Sequence, residues 1–270
     1  MLLLTPGQRA TLRDWFLPDR PGPLVGLHVL QTGHGACFVD RWPSPRVALV
    51  ETGGNLALVG DPGALTPAAL RPRLLGFVDA PAAFEPLLRA TVPTLAVWPR
   101  VVLELPGDPR PVATAEAVIR PLHPADAGQL AGLSPEVAWI AATWSGPAGL
   151  AASGHAWGAF RRGGLVAVAC SFFVGVRYED IGVVTEPAER GRGLSAACAG
   201  ALCLDIRGRG RRPSWSTSPD NAASLRVAEK LGFGVERRDR LLIAKPAPGT
   251  AGVSTTEGDF GDSDIFGAGR

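Results

Sequence analysis

Tyrosine, lysine and methionine are nearly missing from this chain: Tyr178, Lys230, Lys245 and Met1 are the only ones in 270 residues. Any step that needs a phenol therefore has one side chain to draw on. The basic charge is carried by arginine, and 27 Lys and Arg against 25 Asp and Glu leave a net charge of only +2. That balance gives no electrostatic case for bulk nucleic-acid binding. Cysteine is scarce as well. Cys37, Cys170, Cys198 and Cys203 form no CxxC pair, so neither a zinc site nor a disulfide framework is indicated, and no metal is expected. Small buried hydrophobes in a reducing compartment are the plain reading of all four. Long apolar runs are absent: the longest, Leu165 to Val176, is about a dozen residues, where a membrane span needs roughly 20. Met1 to Leu4 is too short for a signal peptide and lacks its positive flank. A cytoplasmic protein with no membrane partner is expected.

The residues that are present describe a soluble globular chain, 46% hydrophobic and 19% charged, whose length favours two domains over one. Residues 1–112 read as an α+β domain. Thr5 caps a first helix with Pro6 in its opening turn, and Pro18 to Pro23 break the chain after it. Strands are expected over Leu24 to Leu30, Ala36 to Val39, Arg46 to Glu51 and Asn55 to Val59, with Gly53-Gly54 closing a hairpin. Helices over Ala68 to Phe77 and Ala83 to Ala90, each shortened by a proline, and a strand pair over Thr94 to Leu105 complete it. Gly33-His34-Gly35 has no basic partner and reads as a tight turn. The Pro-rich stretch Pro106 to Pro111 then serves as a linker. Residues 248–270, poor in apolar side chains, read as a disordered acidic tail.

The stretch from Ile181 to Phe233 carries the chemistry. Ile181 to Thr185 is a β-rich apolar run ended by Pro187, and Arg190-Gly191-Arg192-Gly193 opens a helix from Leu194 to Ile206. Glycine lets the backbone come close to a ligand there. The first N–H groups of that helix lack intrahelical partners and suit an anion such as a pyrophosphate. Arg190 and Arg192 add charge-assisted hydrogen bonds, worth about 1.5–3 kcal/mol each. Trp215 to Thr217 come next as a strand. A closing helix is expected with Ser218 or Asp220 as its cap, Leu225, Ala228 and Leu231 on one face, and Gly232 as its stop. Spacing alone supports an anion-binding α/β unit.

These residues resemble the coenzyme-binding motif of the GNAT superfamily, the acyl-CoA-dependent N-acetyltransferases, whose loop follows Arg/Gln-x-x-Gly-x-Gly/Ala. Arg190, Gly193 and Ser195 occupy those three places, the last a departure from the pattern. Asn221 to Ser224 and Lys230 to Phe233 resemble the superfamily's closing motif, and Val118-Ile119-Arg120-Pro121-Leu122 its opening strand. The resemblance covers about Ala117 to Lys245. It implies an α/β fold (α+β in some schemes), a mixed, splayed β-sheet flanked by helices over residues 113–247, with Pro135 to Gly154 as a variable lid. The smaller N-terminal domain then reads as an added α+β unit or a degenerate half-copy, though no internal repeat shows it.

The resemblance further implies acetyl-CoA as cosubstrate. Its pyrophosphate would lie over Arg190, Gly191, Arg192, Gly193, Leu194 and Ser195, its pantetheine along Val183, Val184 and Thr185, with Asn221 a further contact or, locally, only a helix cap. A small-molecule or protein amine would attack the thioester directly, in a ternary complex, without an acyl-enzyme. Glu179 and Asp180, just upstream, stand where the superfamily often has a carboxylate base. Alternation puts them on opposite faces, and Glu179 is preferred because it would share a face with Ile181 and Val183. A solvated pair at a strand start is the alternative. The superfamily's tyrosine acid is replaced here by Ala228, which leaves Tyr178 as the one phenol that could serve. The competing function is a non-catalytic acyl-CoA-binding regulatory module. A monomer or a homodimer is consistent with either.

Overall fold

The computed structural model describes residues 1–92, 94–112, 114 and 117–245; the acidic tail expected over 248–270 lies outside them. The described chain forms two compact units, the first from residues 1–18, 25–99 and 240–245, the second from residues 19–24 and 100–239. A division at residue 112 is therefore not what is observed. Residues 100–112 belong with the second unit, and the chain returns to the first at Arg240.

The first unit is a sheet with helices against it. Its strands are β1 (Leu2–Leu3), β2 (Ala36–Val39), β3 (Val47–Thr52), β4 (Asn55–Gly60) and β5 (Gly76–Asp79), in that order. The end of β12 (Gly234–Ala244) pairs antiparallel with β5. Gly53 and Gly54, both at positive φ, close the expected β3–β4 hairpin. Helix α1 (Pro6–Arg9) carries the Thr5 cap as a full capping box with Gln8. Three expectations fail. The apolar run from Leu24, expected as a strand, is helix α2 (Val25–Thr32), buried along most of its length, because a short apolar run suits either a buried helix or a buried strand. The long helix over Ala68 to Phe77 shrinks to α3 (Pro67–Leu70), a 3₁₀ turn, and β5. Gly76 opens that strand at φ +111, where a Cβ would lie 2.1 Å from the Gly54 carbonyl oxygen. Helix α4 (Glu85–Thr91) comes next, and β6 (Leu95–Glu104) is one strand running through Pro99 rather than two. Phe84, Leu88, Leu49, Leu58 and Leu70 are fully buried at the centre of this unit's core.

The second unit holds the motif. Its strand order is β6, β11 (Arg212–Thr217), β10 (Tyr178–Thr185), β9 (Gly164–Val174), β8 (Ala156–Arg161) and β7 (Val118–Pro121). All neighbours are antiparallel except β10 and β11, which are parallel and joined by helix α7 (Leu194–Gly208). A parallel pair needs such a crossover, and the small residues of α7 let it lie close on the sheet. Cys198, Ala199, Leu202, Cys203 and Ile206 pack there against Ile181, Trp215 and Ala169. Short helices α5 (Ala127–Ala131) and α6 (Pro147–Ala152) and a 3₁₀ segment, Ala138–Trp144, cover the opposite face. Asp126 is more than a helix start: it accepts two bonds from Arg120, at 2.7 and 2.8 Å, and the main-chain N–H of His123. Helix α8 (Ala222–Leu231) ends as expected at Gly232, in the left-handed region, but its cap is Asn221, whose Oδ1 accepts the Ser224 N–H at 3.0 Å. Among the described residues no helix is long and apolar enough to cross a membrane.

Candidate active site

Strands β10 and β11 are in register from Tyr178 opposite Arg212 to Ile181 opposite Trp215, and their pairing stops there. On its other edge β10 stays paired with β9 as far as Thr185, and β11 stays paired with β6 as far as Thr217. Each strand thus continues straight along its outer neighbour while the inner edges part. Backbone groups of residues 182–185 and 216–217 then face a gap instead of a ladder, and such groups seek partners. The gap is the floor of a cleft of about 580 Å³.

Ten of the sequence-predicted residues line this one cleft. Val183, Val184 and Thr185 form one wall, and Asn221 stands at the start of α8. Arg190, Gly191, Arg192, Gly193, Leu194 and Ser195 form the end at the start of α7. Gly191 and Gly193 have φ of +79 and +76, a region that favours glycine. Gly193 is the residue before the first turn, and no side chain caps it, so the leading amides of α7 look into the cleft. Ser195, the departure from the motif, has a local partner: its hydroxyl lies 2.6 Å from that of Thr185 and ties the helix start to the strand end. Basic side chains beyond the expected pair converge here. Arg226 and Lys230 of α8 also line the cleft, with Lys230 Nζ 4.0 Å from where a Cβ on Gly193 would sit. The scarcity of lysine is the one sequence signal that could draw attention to Lys230.

The three residues expected to serve in catalysis lie elsewhere. Tyr178 is buried beside the β11 start, with the guanidinium groups of Arg177 and Arg212 5.7 and 5.4 Å from its ring centre. It is not among the residues lining the cleft. Glu179 is 0% exposed. Its carboxylate accepts from Arg209 at 2.8 and 3.2 Å, from Arg211 at 3.0 Å and from the Ser171 hydroxyl, with His155 Nδ1 at 3.3 Å. Burial works to raise its pKa, but the bonds from His155 and Arg209, the Arg209 charge and Ser171 together hold it below the usual carboxylate range. A carboxylate so enclosed has no path to an amine and little proton affinity. The preference for Glu179 as base is therefore corrected. It is the counter-ion that clasps the C-terminal end of α7 to the sheet.

Asp180 points to the other face, and a register shift between Asp180 and Ile181 interrupts the β9 ladder. It is 5% exposed. Its Oδ1 accepts from Ser214 at 2.8 Å and Ser216 at 3.2 Å. Burial raises its pKa, against Ser214, the charge of Arg100, Ser216 and the charge of Arg237, and leaves it at about 6. Asp180 does not itself line the cleft, but Ser216 does. The lid expected over 135–154 supplies Glu136, Val137 and Trp139 to the same cleft, with Trp139 edge-on to Phe172 at 5.4 Å. Ala228, in the place of the superfamily tyrosine, is fully buried. Cys198 and Cys203 are buried too, and burial pushes both thiols up to about 12.

The family model described as GNAT acetyltransferase matches residues 127–239. An uncharacterized N-acetyltransferase encoded in the mutA 5' region of Streptomyces virginiae is 41% identical over 217 residues, 77% of this chain and 90% of that protein. Among solved structures, a GCN5-related N-acetyltransferase-like protein from Streptococcus suis superimposes with a TM-score of 0.66 at 18% identity, covering 88% of this chain and 99% of that one. A putative GNAT-family acetyltransferase from Novosphingobium aromaticivorans does so with a TM-score of 0.57 at 22% identity, over 85% and 98% of the two chains. The structures agree in fold and the Streptomyces relative in sequence over most of both chains, so this protein belongs to the GNAT acetyltransferase family.

Proposed function

We propose that the chain transfers an acetyl group from acetyl-CoA to a primary amine by direct attack in a ternary complex. The observation that carries this reading is the parting of β10 and β11 beyond Ile181 and Trp215, at a cleft whose far end is the amide-rich start of α7. A diphosphate suits that end, where Arg190, Arg192, Arg226 and Lys230 gather. An extended, amide-bearing pantetheine arm suits the gap, because the edge of Gly182 to Thr185 has lost its ladder partner and can bond to the arm as a strand would.

At the thioester, a main-chain N–H from Val183 to Thr185 donates to the carbonyl oxygen as that oxygen gains charge. Trp139 and Val137 shield the reacting centre from water. The amine enters from the lid face, and Asp180, whose pKa burial raises to about 6, is the carboxylate suited to take its proton, whereas Glu136 and Glu189 of the cleft are held by arginines. Thiolate, with a pKa near 8.5 in the free state, is a tolerable leaving group without a phenol to protonate it. That is consistent with Ala228 in the tyrosine position and with Tyr178 lying away from the cleft.

Free thiol released from acetyl-CoA, measured over a panel of primary amines, tests the proposal, with coenzyme affinity measured in parallel by calorimetry. Release that depends on the amine supports it. Coenzyme binding without release on any amine would instead support an acyl-CoA-binding module, and absence of both would sink the coenzyme reading.

A further inference from the structure

Strand β11 presents two serines to one carboxylate. Ser214 is fully buried, accepts the Gly22 N–H at 3.3 Å and donates to Asp180 Oδ1. Ser216, one strand repeat further on, donates to the same oxygen but stands at the gap and lines the cleft. The carboxylate is therefore closed off on one side by a serine that is part of the core. On the other side, a half-buried serine that lines the cleft connects it to that space. Since Asp180 lines no part of the cleft itself, any proton it takes must arrive through a neighbour.

We propose that Ser216 relays the acceptor's proton: its hydroxyl accepts from the attacking nitrogen while giving its own proton to Asp180 Oδ1. This deepens the transferase reading above and rests on it. The nitrogen lone pair forms the N–C bond to the thioester carbonyl carbon, and the C–S bond breaks with its electron pair going to sulfur. The proton lost by nitrogen passes to Ser216 Oγ, and the Ser216 proton to Asp180. Asp180 then returns a proton to solvent, from which the thiolate regains one.

The surroundings of Asp180 suit a group that cycles between charged and neutral forms. Beyond Ser214 and Ser216, the charges that act on it are Arg100 of β6 and Arg237 of β12. Both guanidinium groups are already bonded to Asp239, at 2.7 and 2.9 Å, so neither locks Asp180 in the ionised state by a direct bond. Asp19 is occupied by the main-chain N–H groups of Arg177 and Tyr178, at 2.7 and 3.2 Å. Glu179, its neighbour in the chain, spends its charge on Arg209 and Arg211.

The test is the pH profile of kcat with saturating acetyl-CoA and a weakly basic primary amine, chosen so that the acceptor itself does not titrate near pH 6. Wild-type enzyme should lose activity below about pH 6. Ser216→Ala should lower kcat about a hundredfold and abolish that acid limb, with coenzyme affinity within about twofold. Ser216→Thr, which keeps a hydroxyl, should recover most of the rate. Asp180→Asn should lose about as much as Ser216→Ala, and the double variant no more than either, because the two act as one unit. A Ser216→Ala enzyme with wild-type kcat and an intact acid limb overturns the relay alone. A wild-type protein that binds coenzyme and turns over no amine overturns the transferase reading and the relay with it.

Discussion

The two halves of β10 are built to opposite ends. From Glu179 to Ile181 the strand is paired on both edges, and its two carboxylates are buried and hydrogen-bonded. From Gly182 to Thr185 it is paired on one edge only and walls a cleft. The first half could not admit a ligand without dismantling an ion cluster; the second leaves backbone groups that a ligand can complete. Within the first half the contrast is sharper still. Glu179 and Asp180 are neighbours of the same chemistry, yet three cationic or potentially cationic partners surround one, and two hydroxyls hold the other. The strand a residue sits on, and even its type, therefore says little about its role until its partners are known.

The largest effect expected from breaking this comparison is at the knitted half. Glu179→Ala would leave Arg209 and Arg211 without the carboxylate that joins them, a loss of about 3–5 kcal/mol for a buried pair, toward the lower end here because both arginines keep some solvent contact. Urea unfolding measures it. The folded fraction should still bind coenzyme within about threefold of wild type, and a stable variant that cannot bind coenzyme would contradict the assignment of Glu179 to the fold.

Asp180 should behave in the reverse sense. Its folded pKa of about 6 lies above the value near 3.9 of an unfolded aspartate. Stability from this group is therefore intact below about pH 4 and lost as pH rises through 6, by roughly 3 kcal/mol in all. Asp180→Asn removes that slope. The variant should be more stable than wild type at pH 7.5 and no more stable at pH 4, as read by thermal unfolding across the interval, while turning over more slowly. Equal pH dependence in the two proteins would show that Asp180 does not titrate as described.

How much of this is legible in the sequence depends on range. The start of α7 can be read because Arg190, the paired glycines and the small-residue run after them are contiguous, and the Gly232 stop is equally local. The fate of Glu179 cannot. It is decided by Arg209 and Arg211, about 30 positions on, in a run that by itself reads as a solvated helix end. That the two carboxylates take opposite faces follows from alternation, but the arginines waiting on one face and the serines on the other do not. In the first unit, α2 reads as a strand because Leu24 to Leu30 is a short run that is apolar but for His28, and β12 escapes a pattern reading because its first half, Gly234 to Asp239, is mostly polar. The Asn221 cap is half legible for a simpler reason: Ser218, Asp220 and Asn221 are all good candidates in sequence, and only the geometry chooses among them.

At the parted half, Gly193→Asp should weaken coenzyme binding by about tenfold to a hundredfold, or roughly 1.4–2.7 kcal/mol. It sets a carboxylate among the amides that would receive the diphosphate, next to Lys230. The fold should survive, since aspartate is accepted both before a helix and, at modest cost, at positive φ. Unchanged affinity by calorimetry would mean that the anion seat is elsewhere.

The smallest effect concerns the contacts that hold the cleft before coenzyme arrives. Glu136, on the lid side, is ion-paired with Arg190 of the loop, their side chains 40% and 46% exposed, and Glu186 accepts the Ser134 N–H at 2.8 Å beside them. On the proposed reading, a coenzyme phosphate and Glu136 would compete for one guanidinium. Glu136→Gln removes the competitor, so coenzyme should bind tighter by no more than about fivefold, the equivalent of an exposed pair worth less than about 1 kcal/mol. The gain should shrink as ionic strength rises, because both contacts are screened. Weaker binding at every salt concentration would mean the opposite: that Glu136 shapes the loop for the phosphate, and that the parted half of β10 depends on the lid as the knitted half depends on α7.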